Sequence, residues 1–361
     1  MAKRHRFLKN VRYMAAIIAA AVCLTGCGAP SADSGTQTSE TAAAESERAA
    51  VTEPATEAAA EPEKQESSGP DAAADRYEEI TDRSNDQGKL VIYFLDLEVG
   101  PDAKDKSGDS AILISPDGKV MLLDAGHPDA SDIVVKMLTD LGIEKIDYLV
   151  VSHPHIDHIG GVPAVVSDFS VETAYQSYVE YTTQTYHNYV NALKESGINV
   201  VSLETGDEFS FGEQVQVKVL GPDKEFEYPA GFPDNSTQFL NNMSLLLKFT
   251  YGETTALFGG DLYVSQEREY IDLYGDELKA DVAKANHHGK DTSNLKKWIK
   301  TVSPKIVAVM GDEMGSMDVY NNYVKQGAEY HHTLYDGMIK VIADDKGNCQ
   351  VIDQKDSWMN E

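Results

Sequence analysis

The 361-residue chain has little cysteine, little tryptophan and few basic side chains: 3 Cys, 2 Trp, and 31 Lys and Arg against 59 Asp and Glu. Each shortage excludes something. Once the apolar segment that contains Cys23 is removed, only Cys27 and Cys349 remain, too few and too differently placed for a disulfide framework. Residues 1–27 hold 5 basic and no acidic residues and 28–88 hold 4 and 15, which leaves 22 basic against 44 acidic residues in 89–361. A surface with twice as many acids as bases repels polyanions at long range, so long nucleic acid is a poor partner. Long apolar runs are scarce too. The one at residues 14–24 falls well short of the ~20 residues that a spanning helix needs.

That short run has a different use. Lys3, Arg4, Arg6, Lys9 and Arg12 precede it, and Leu24-Thr25-Gly26-Cys27 closes it. A positive start, a short apolar stretch and small residues before a cysteine make a signal peptide that resembles a lipoprotein signal, with Cys27 as the acylated residue. Two or more acyl chains hold a protein on a membrane without a spanning helix. The expected location is therefore the outer face of the cell membrane. Residues 27–88 are rich in Ala, Glu, Ser, Thr and Pro and poor in aromatic and β-branched residues. They read as an acidic tether with too little apolar surface to offset chain entropy. The remainder, 89–361, is long enough for one domain with a sizeable core.

Within that domain, apolar runs at 90–95, 110–114 and 119–123 read as strands, the last two joined by the turn residues Pro116-Asp117-Gly118. Helical spacing covers 131–141, and 147–151 is the next strand. Further strands are expected at 199–203, 214–220, 243–250, 254–258, 280–285, 306–310, 338–343 and 348–353. Helices are expected near 182–195, 265–274, 292–300 and 317–326. Strands in runs with interspersed helices imply sheets covered by helices, an α/β or α+β layered domain.

The chemistry is concentrated in Ser152-His153-Pro154-His155-Ile156-Asp157-His158-Ile159-Gly160-Gly161, directly after the apolar strand. The whole chain has 10 histidines, so three of them with a carboxylate inside six residues are not explained by packing. Neutral imidazole with carboxylate suits zinc, manganese or iron. Alternation lets His153 and His155 face one way from extended backbone, while Asp157 and His158 turn toward a second position.

His-x-His-x-Asp-His followed by Gly-Gly resembles the signature of the metallo-β-lactamase superfamily, and the flanks agree. Leu122-Leu123-Asp124-Ala125-Gly126, Phe258-Gly259-Gly260-Asp261 and Ala285-Asn286-His287-His288-Gly289 follow in the family's order. The resemblance implies an αββα sandwich with two divalent metal ions, zinc before manganese or iron. It implies His153, His155, Asp157, His158, Asp261 and His287 as ligands, with Asp124 orienting them by hydrogen bonds. His288 is then expected on the substrate side, where it protonates the leaving group. Over most of 89–353 the chain is similar to the β-lactamase-like part of ComEC-type competence proteins, through Gly108-Asp109-Ser110, Asn241-Asn242-Met243-Ser244 and His287-His288-Gly289. The membrane-channel part of those proteins is missing, so DNA uptake does not carry over. Many superfamily hydrolases supply a further histidine before the bridging Asp. Here the interval holds only His187, and Asn241 and Ser244 stand at the corresponding place as expected substrate contacts.

The implied reaction is hydrolysis by a metal-bridging hydroxide held by Asp157 and Asp261. Phosphodiesters of small or envelope-linked molecules are the expected substrates. Lactone, thioester or β-lactam hydrolysis is the alternative, as is a nuclease acting on single-stranded DNA. A metal-bearing binding module without activity ranks lower, since the ligand set is nearly complete. Tyr178, Tyr181, Tyr186 and Tyr189 are expected to pack, or to form a wall beside the site.

Overall fold

The computed structural model describes residues 70–99, 108–224, 233, 235–357 and 359. The signal segment, Cys27 and most of the tether lie outside these. Strand β1 (Leu90–Phe94) shows why the fold is layered. All five residues are buried, yet they divide by parity: Val91 and Tyr93 join one apolar cluster, Leu90, Ile92 and Phe94 another. A strand apolar on both faces must be covered on both.

Chain order continues with β2 (Ala111–Ile114), β3 (Val120–Leu123), β4 (Lys145–Val151), β5 (Ser170–Ser177) and β6 (Asn199–Leu203). Then come β7 (Glu208–Phe211), β8 (Val215–Gly221), β9 (Leu246–Tyr251), β10 (Thr254–Phe258), β11 (Val282–Lys284), β12 (Ile306–Val309) and β13 (Glu329–His332). The last two strands, β14 (Ile339–Ala343) and β15 (Cys349–Asp353), return to the first sheet. That sheet has the order β15-β14-β1-β2-β3-β4-β5-β6, and the second runs β13-β12-β11-β10-β9-β8-β7. The central core lies between them, with Phe94 of one sheet stacked on Phe258 of the other at 5.8 Å between ring centroids.

Helices cover the outer faces. Ser131–Asp140 buries Val134, Met137 and Leu138, one stripe at helical spacing, and joins Val162–Asp168 and Gln184–Glu195 over the first sheet. Val264–Tyr274, Lys296–Val302 and Met317–Gln326 cover the second. The result is the expected αββα sandwich. Among the described residues no helix is long and apolar enough to cross a membrane.

Several elements differ from the sequence expectation. A helix spans Pro70–Thr81, Ile80 is fully buried in the core, and Arg76 donates to the Asp353 carbonyl at 3.1 Å. The folded part therefore starts ahead of residue 89, the boundary that composition suggested, because an Ala- and acid-rich window hides two anchors, Tyr77 and Ile80. Strands β5 and β7 and the helices Val162–Asp168 and Thr237–Asn242 were likewise not expected.

One feature positions the site. β3 and β4 run parallel in the first sheet, and β10, β11 and β12 run parallel in the second. The loops at their C-terminal ends meet at one edge of the sandwich, the usual place for ligands in open parallel sheets.

Candidate metal centre

The first half of the centre follows β3 and β4. Asp124 leaves β3 in left-handed backbone, φ 58°, and is fully buried. Its carboxylate accepts from the Ser152 amide and hydroxyl, both at 2.7 Å, and lies 2.9 Å from His158 Nδ1. That contact leaves His158 Nε2 facing into the cluster. His155 is extended and opens the short helix Ile156–Ile159, whose single turn carries both Asp157 and His158. His153 Nε2 lies 2.9 Å from His155 Nδ1, so these two rings converge on a point of their own. Gly108 (φ +82°) lies directly against this turn: a Cβ there would sit 1.7 Å from the Asp157 carbonyl oxygen. The close approach directs the Asp109 carboxylate into the centre.

The second half follows β10 and β11. Gly260, at φ +53°, lets Asp261 turn inward, where any Cβ would fall within 3.0 Å of Ser244 and Ser152. Lys284 ends β11 almost fully buried, ion-paired with Asp109, 2.8 Å from the Gly260 carbonyl and 3.4 Å from Asp261 Oδ1. His287 and His288 both adopt positive φ, 47° and 52°, so their rings diverge. His288 has Nδ1 3.1 Å from the Met310 carbonyl and 3.1 Å from Asp109 Oδ1. Its Nε2 lies 3.4 Å from Asp157 and 3.3 Å from Asp261. His287 instead has Nδ1 2.5 Å from the Thr292 hydroxyl, its ring beside Tyr263, and Nε2 3.9 Å from Asp261.

Donor atoms of Asp157, His158, Asp261 and His288 all lie within 4.8 Å of one another. The Nε2 atoms of His158 and His288 are buried without a hydrogen-bond partner. Two carboxylates and two such imidazoles are a donor set that fits a divalent cation. The sequence expectation had His287 as ligand and His288 beside substrate; the left-handed backbone reverses their positions. It is His288 that reaches the carboxylates, while His287 faces the cavity.

The electrostatics divide the histidines in the same way. Burial disfavours a charge on His158, but Asp261, Asp124 and Asp157 outweigh it and hold the ring well above its ordinary value. Burial likewise opposes charge on His288, and Asp261 and Asp109 overcome it. His153 is pushed well down, first by burial and then by the neighbouring His158 and His155. His287, mainly through burial, falls to about 4. Burial opposes charge on Asp261, yet His288, His158 and Lys284 keep it ionised.

A cavity of about 390 Å³ opens on the centre. Its lining includes His155, Asp157, Asp261, His287 and His288 with Tyr181, Thr183, Thr185, Thr237, Asn241 and Lys290. Asn241 is thus where a substrate contact was expected. Ser244 is not: it is fully buried, and its hydroxyl accepts from the Asp261 amide at 3.2 Å, so it braces that loop instead. Of the four tyrosines, Tyr181 reaches the cavity, edge-on to His155 at 5.8 Å, while Tyr186 and Tyr189 belong to the core and Tyr178 to a small apolar cluster. His187 is exposed on its helix. Sequence reasoning quoted Asp109 within a matching motif but gave it no role at the site, and it passed over Lys284. A lysine closing the apolar strand Val282-Ala283-Lys284, just before the paired histidines, was the available signal.

The family model described as Metallo-beta-lactamase superfamily matches residues 107–310. Among curated relatives, ComE operon protein 3 of Bacillus subtilis (strain 168) is 26% identical over 177 residues, 49% of this chain and 21% of that protein. Competence protein ComA of Neisseria gonorrhoeae is 24% identical over 196 residues, 54% of this chain and 24% of that protein. The matched part is thus about a fifth to a quarter of the length of either relative. Among solved structures, the metallo-beta-lactamase fold protein YhfI from Bacillus subtilis covers 67% of this chain and 96% of its own, at 14% identity and TM-score 0.39.

Proposed function

Since the chain belongs to the metallo-β-lactamase superfamily, we propose that it is a metal-dependent phosphodiesterase for small or envelope-linked substrates, with two divalent ions held by His153, His155, Asp157, His158, Asp261 and His288. Such ions supply Lewis acidity to the scissile ester. The protein's part is to hold the donors rigid. Asp124 fixes the His158 ring through Nδ1, and the Met310 carbonyl does the same for His288, with the Asp109 carboxylate, itself paired with Lys284, close beside that nitrogen. Orienting contacts of this kind set both the direction and the basicity of a ligand.

The observation that carries the substrate class is the lining of the cavity. Lys290 is the one lysine or arginine in the described lining of the cavity, and Thr183, Thr185 and Thr237 add hydroxyls. An ammonium and several hydroxyls are suited to the nonbridging oxygens of one phosphodiester. A volume of about 390 Å³ suits a small molecule. His287, neutral at pH 7 because burial lowers it to about 4, lines the cavity as an uncharged hydrogen-bonding group. Long DNA would bring many phosphates against a surface whose acids outnumber its bases, with little counterion release in return.

Turnover of bis-p-nitrophenyl phosphate, a phosphocholine ester, nitrocefin and long single-stranded DNA tests this. The short diesters should be hydrolysed fastest, and low salt should slow cleavage of long DNA, where repulsion is least screened. Nitrocefin or a lactone turned over faster than any diester would replace the reaction class. Acceleration on long DNA at low salt would favour a nuclease.

The same proposal has the enzyme anchored outside the cell membrane through Cys27, on the strength of the charged, apolar and small-residue pattern before it. Cys27→Ser should abolish labelling by a palmitate analogue; unchanged labelling would remove the anchor.

A further inference from the structure

Protein donors are shared unequally across the centre. Asp157, His158, Asp261 and His288 surround one position with four side chains. The neighbouring position, marked by His153 Nε2 and His155 Nδ1, has two converging imidazoles and, among the described residues, no third. His187, the one histidine between the His-rich loop and Asp261, is exposed on its helix. Asp261 does not make up the deficit freely. Its Oδ1 is 3.4 Å from Lys284 Nζ, and its Oδ2 lies 3.3 Å from His288 and 3.4 Å from His158.

Asn241 stands beside His155. It belongs to the last turn of the helix Thr237–Asn242, is 1% exposed and lines the cavity. Its carboxamide is within side-chain hydrogen-bonding reach of His155 and of Tyr263, yet its buried Oδ1 completes no well-formed hydrogen bond. The next residue makes the contrast plain. Asn242 donates to the Ser265 hydroxyl at 3.0 Å and accepts from the Tyr263 amide at 3.0 Å, so both ends of its side chain serve the fold. A buried carbonyl oxygen left unpaired costs free energy, and the helix that presents it is otherwise well packed through Leu240. That oxygen lies against His155, one of the two imidazoles that converge there.

We propose that Asn241 Oδ1 is the third protein ligand of the His153–His155 position. This rests on the metal-dependent reading above and adds to it an order of filling and a preference. The four-donor position fills first and holds its ion tightly. The second position offers two nitrogens and a neutral amide oxygen, so its ion is held less tightly and exchanges. An oxygen donor in place of imidazole also shifts the preference from zinc toward manganese.

The test uses the full processed chain, stripped with chelator and titrated with Mn²⁺ or Zn²⁺. Bound ions are counted by elemental analysis after dialysis, and the weaker step is followed by Mn²⁺ paramagnetic resonance. Wild type should keep one ion through dialysis and take up a second at least tenfold more weakly. Asn241→Ala should lose the second step and keep the first, which also reports that the fold survives. Asn241→Asp, which retains the oxygen and adds charge, should tighten the second step, and Asn241→His should keep two zinc ions through dialysis. A second step unchanged within twofold in Asn241→Ala, with the first intact, overturns the assignment of Asn241 and leaves the metal-dependent reading standing. Wild type that binds no ion at all overturns both.

Discussion

At the scale of single residues, Lys284 and Asp109 matter more than the lack of any role expected for them suggests. Both are 2% exposed at the side chain and paired with each other, and burial, which opposes a charge on Lys284, is outweighed by Asp109 and Asp261. Removing one member of a buried pair strands the other charge, at a cost of about 3–5 kcal/mol. Lys284→Met and Asp109→Asn, measured by urea unfolding of chelated protein, should each cost that much. The double variant should cost less than the two together. A second pair of variants separates the adjacent histidines. His288→Ala should remove the tightly held ion and lower kcat/KM by at least about 10³, since it deletes a donor rather than an optional contact. His287→Ala should leave metal content unchanged and act mainly on KM. Elemental analysis with steady-state kinetics distinguishes them. Most of the site was legible, because His153, His155, Asp157 and His158 follow one strand at ligand spacing and Asp124 and Asp261 each end an apolar run. The order of His287 and His288 was not. It depends on two consecutive left-handed residues, and spacing along a chain does not reveal which way such a turn aims its rings.

Among the elements, the helix Val264–Tyr274 controls the histidine loop from behind. Glu267 is fully buried and accepts from Asn286 Nδ2 at 2.8 Å, the Asn294 amide at 2.6 Å and the Leu295 amide at 2.9 Å. Burial raises its carboxyl from 4.5 to about 7, against the lowering effect of those three donors. Between these two values the folded protein keeps a proton that the unfolded chain has released. Stability therefore falls as pH rises from 4.5 to 7, by at most about 1.4 kcal/mol per pH unit, and levels off above. Urea unfolding at pH 5, 6, 7 and 8 should show that slope in the wild type and lose it in Glu267→Gln. Strands with alternating or continuous apolar residues, such as β1, β3 and β12, were readable from the sequence. β5 was not, because Ser170–Ser177 carries Ser, Glu, Thr and Gln and is largely half-buried at its start; it is a strand through its parallel pairing with β4 and β6. Tertiary pairing there overrides a weak local preference.

Considered as a whole, the fold extends beyond the segment that composition marks as globular. Ile80 and Tyr77 pack on the first helical layer, and Lys340, 1% exposed, is paired with Asp86 at 3.0 Å and donates to the Asp82 carbonyl at 2.6 Å. A chain beginning at residue 89 would uncover that apolar surface and leave Lys340 buried without its partner. Full burial of one such apolar side chain is worth about 1.5–3 kcal/mol, and a stranded charge costs more. The shortened chain should therefore unfold at a clearly lower urea midpoint than one beginning at residue 65.

The donors themselves come from two places: Asp157 and His158 from the loop after β4 in one sheet, Asp261 and His288 from the loops after β10 and β11 in the other. A cation among them is a rivet between the two halves of the sandwich. Whatever binds the folded form alone raises its stability by mass action, about 2.7 kcal/mol at a hundred times the dissociation constant. Resistance to heat and to proteases then becomes a gauge of the free cation around the protein. In cation-poor surroundings the two sheets lose that rivet and keep their apolar interface with buried ties such as Lys284–Asp109.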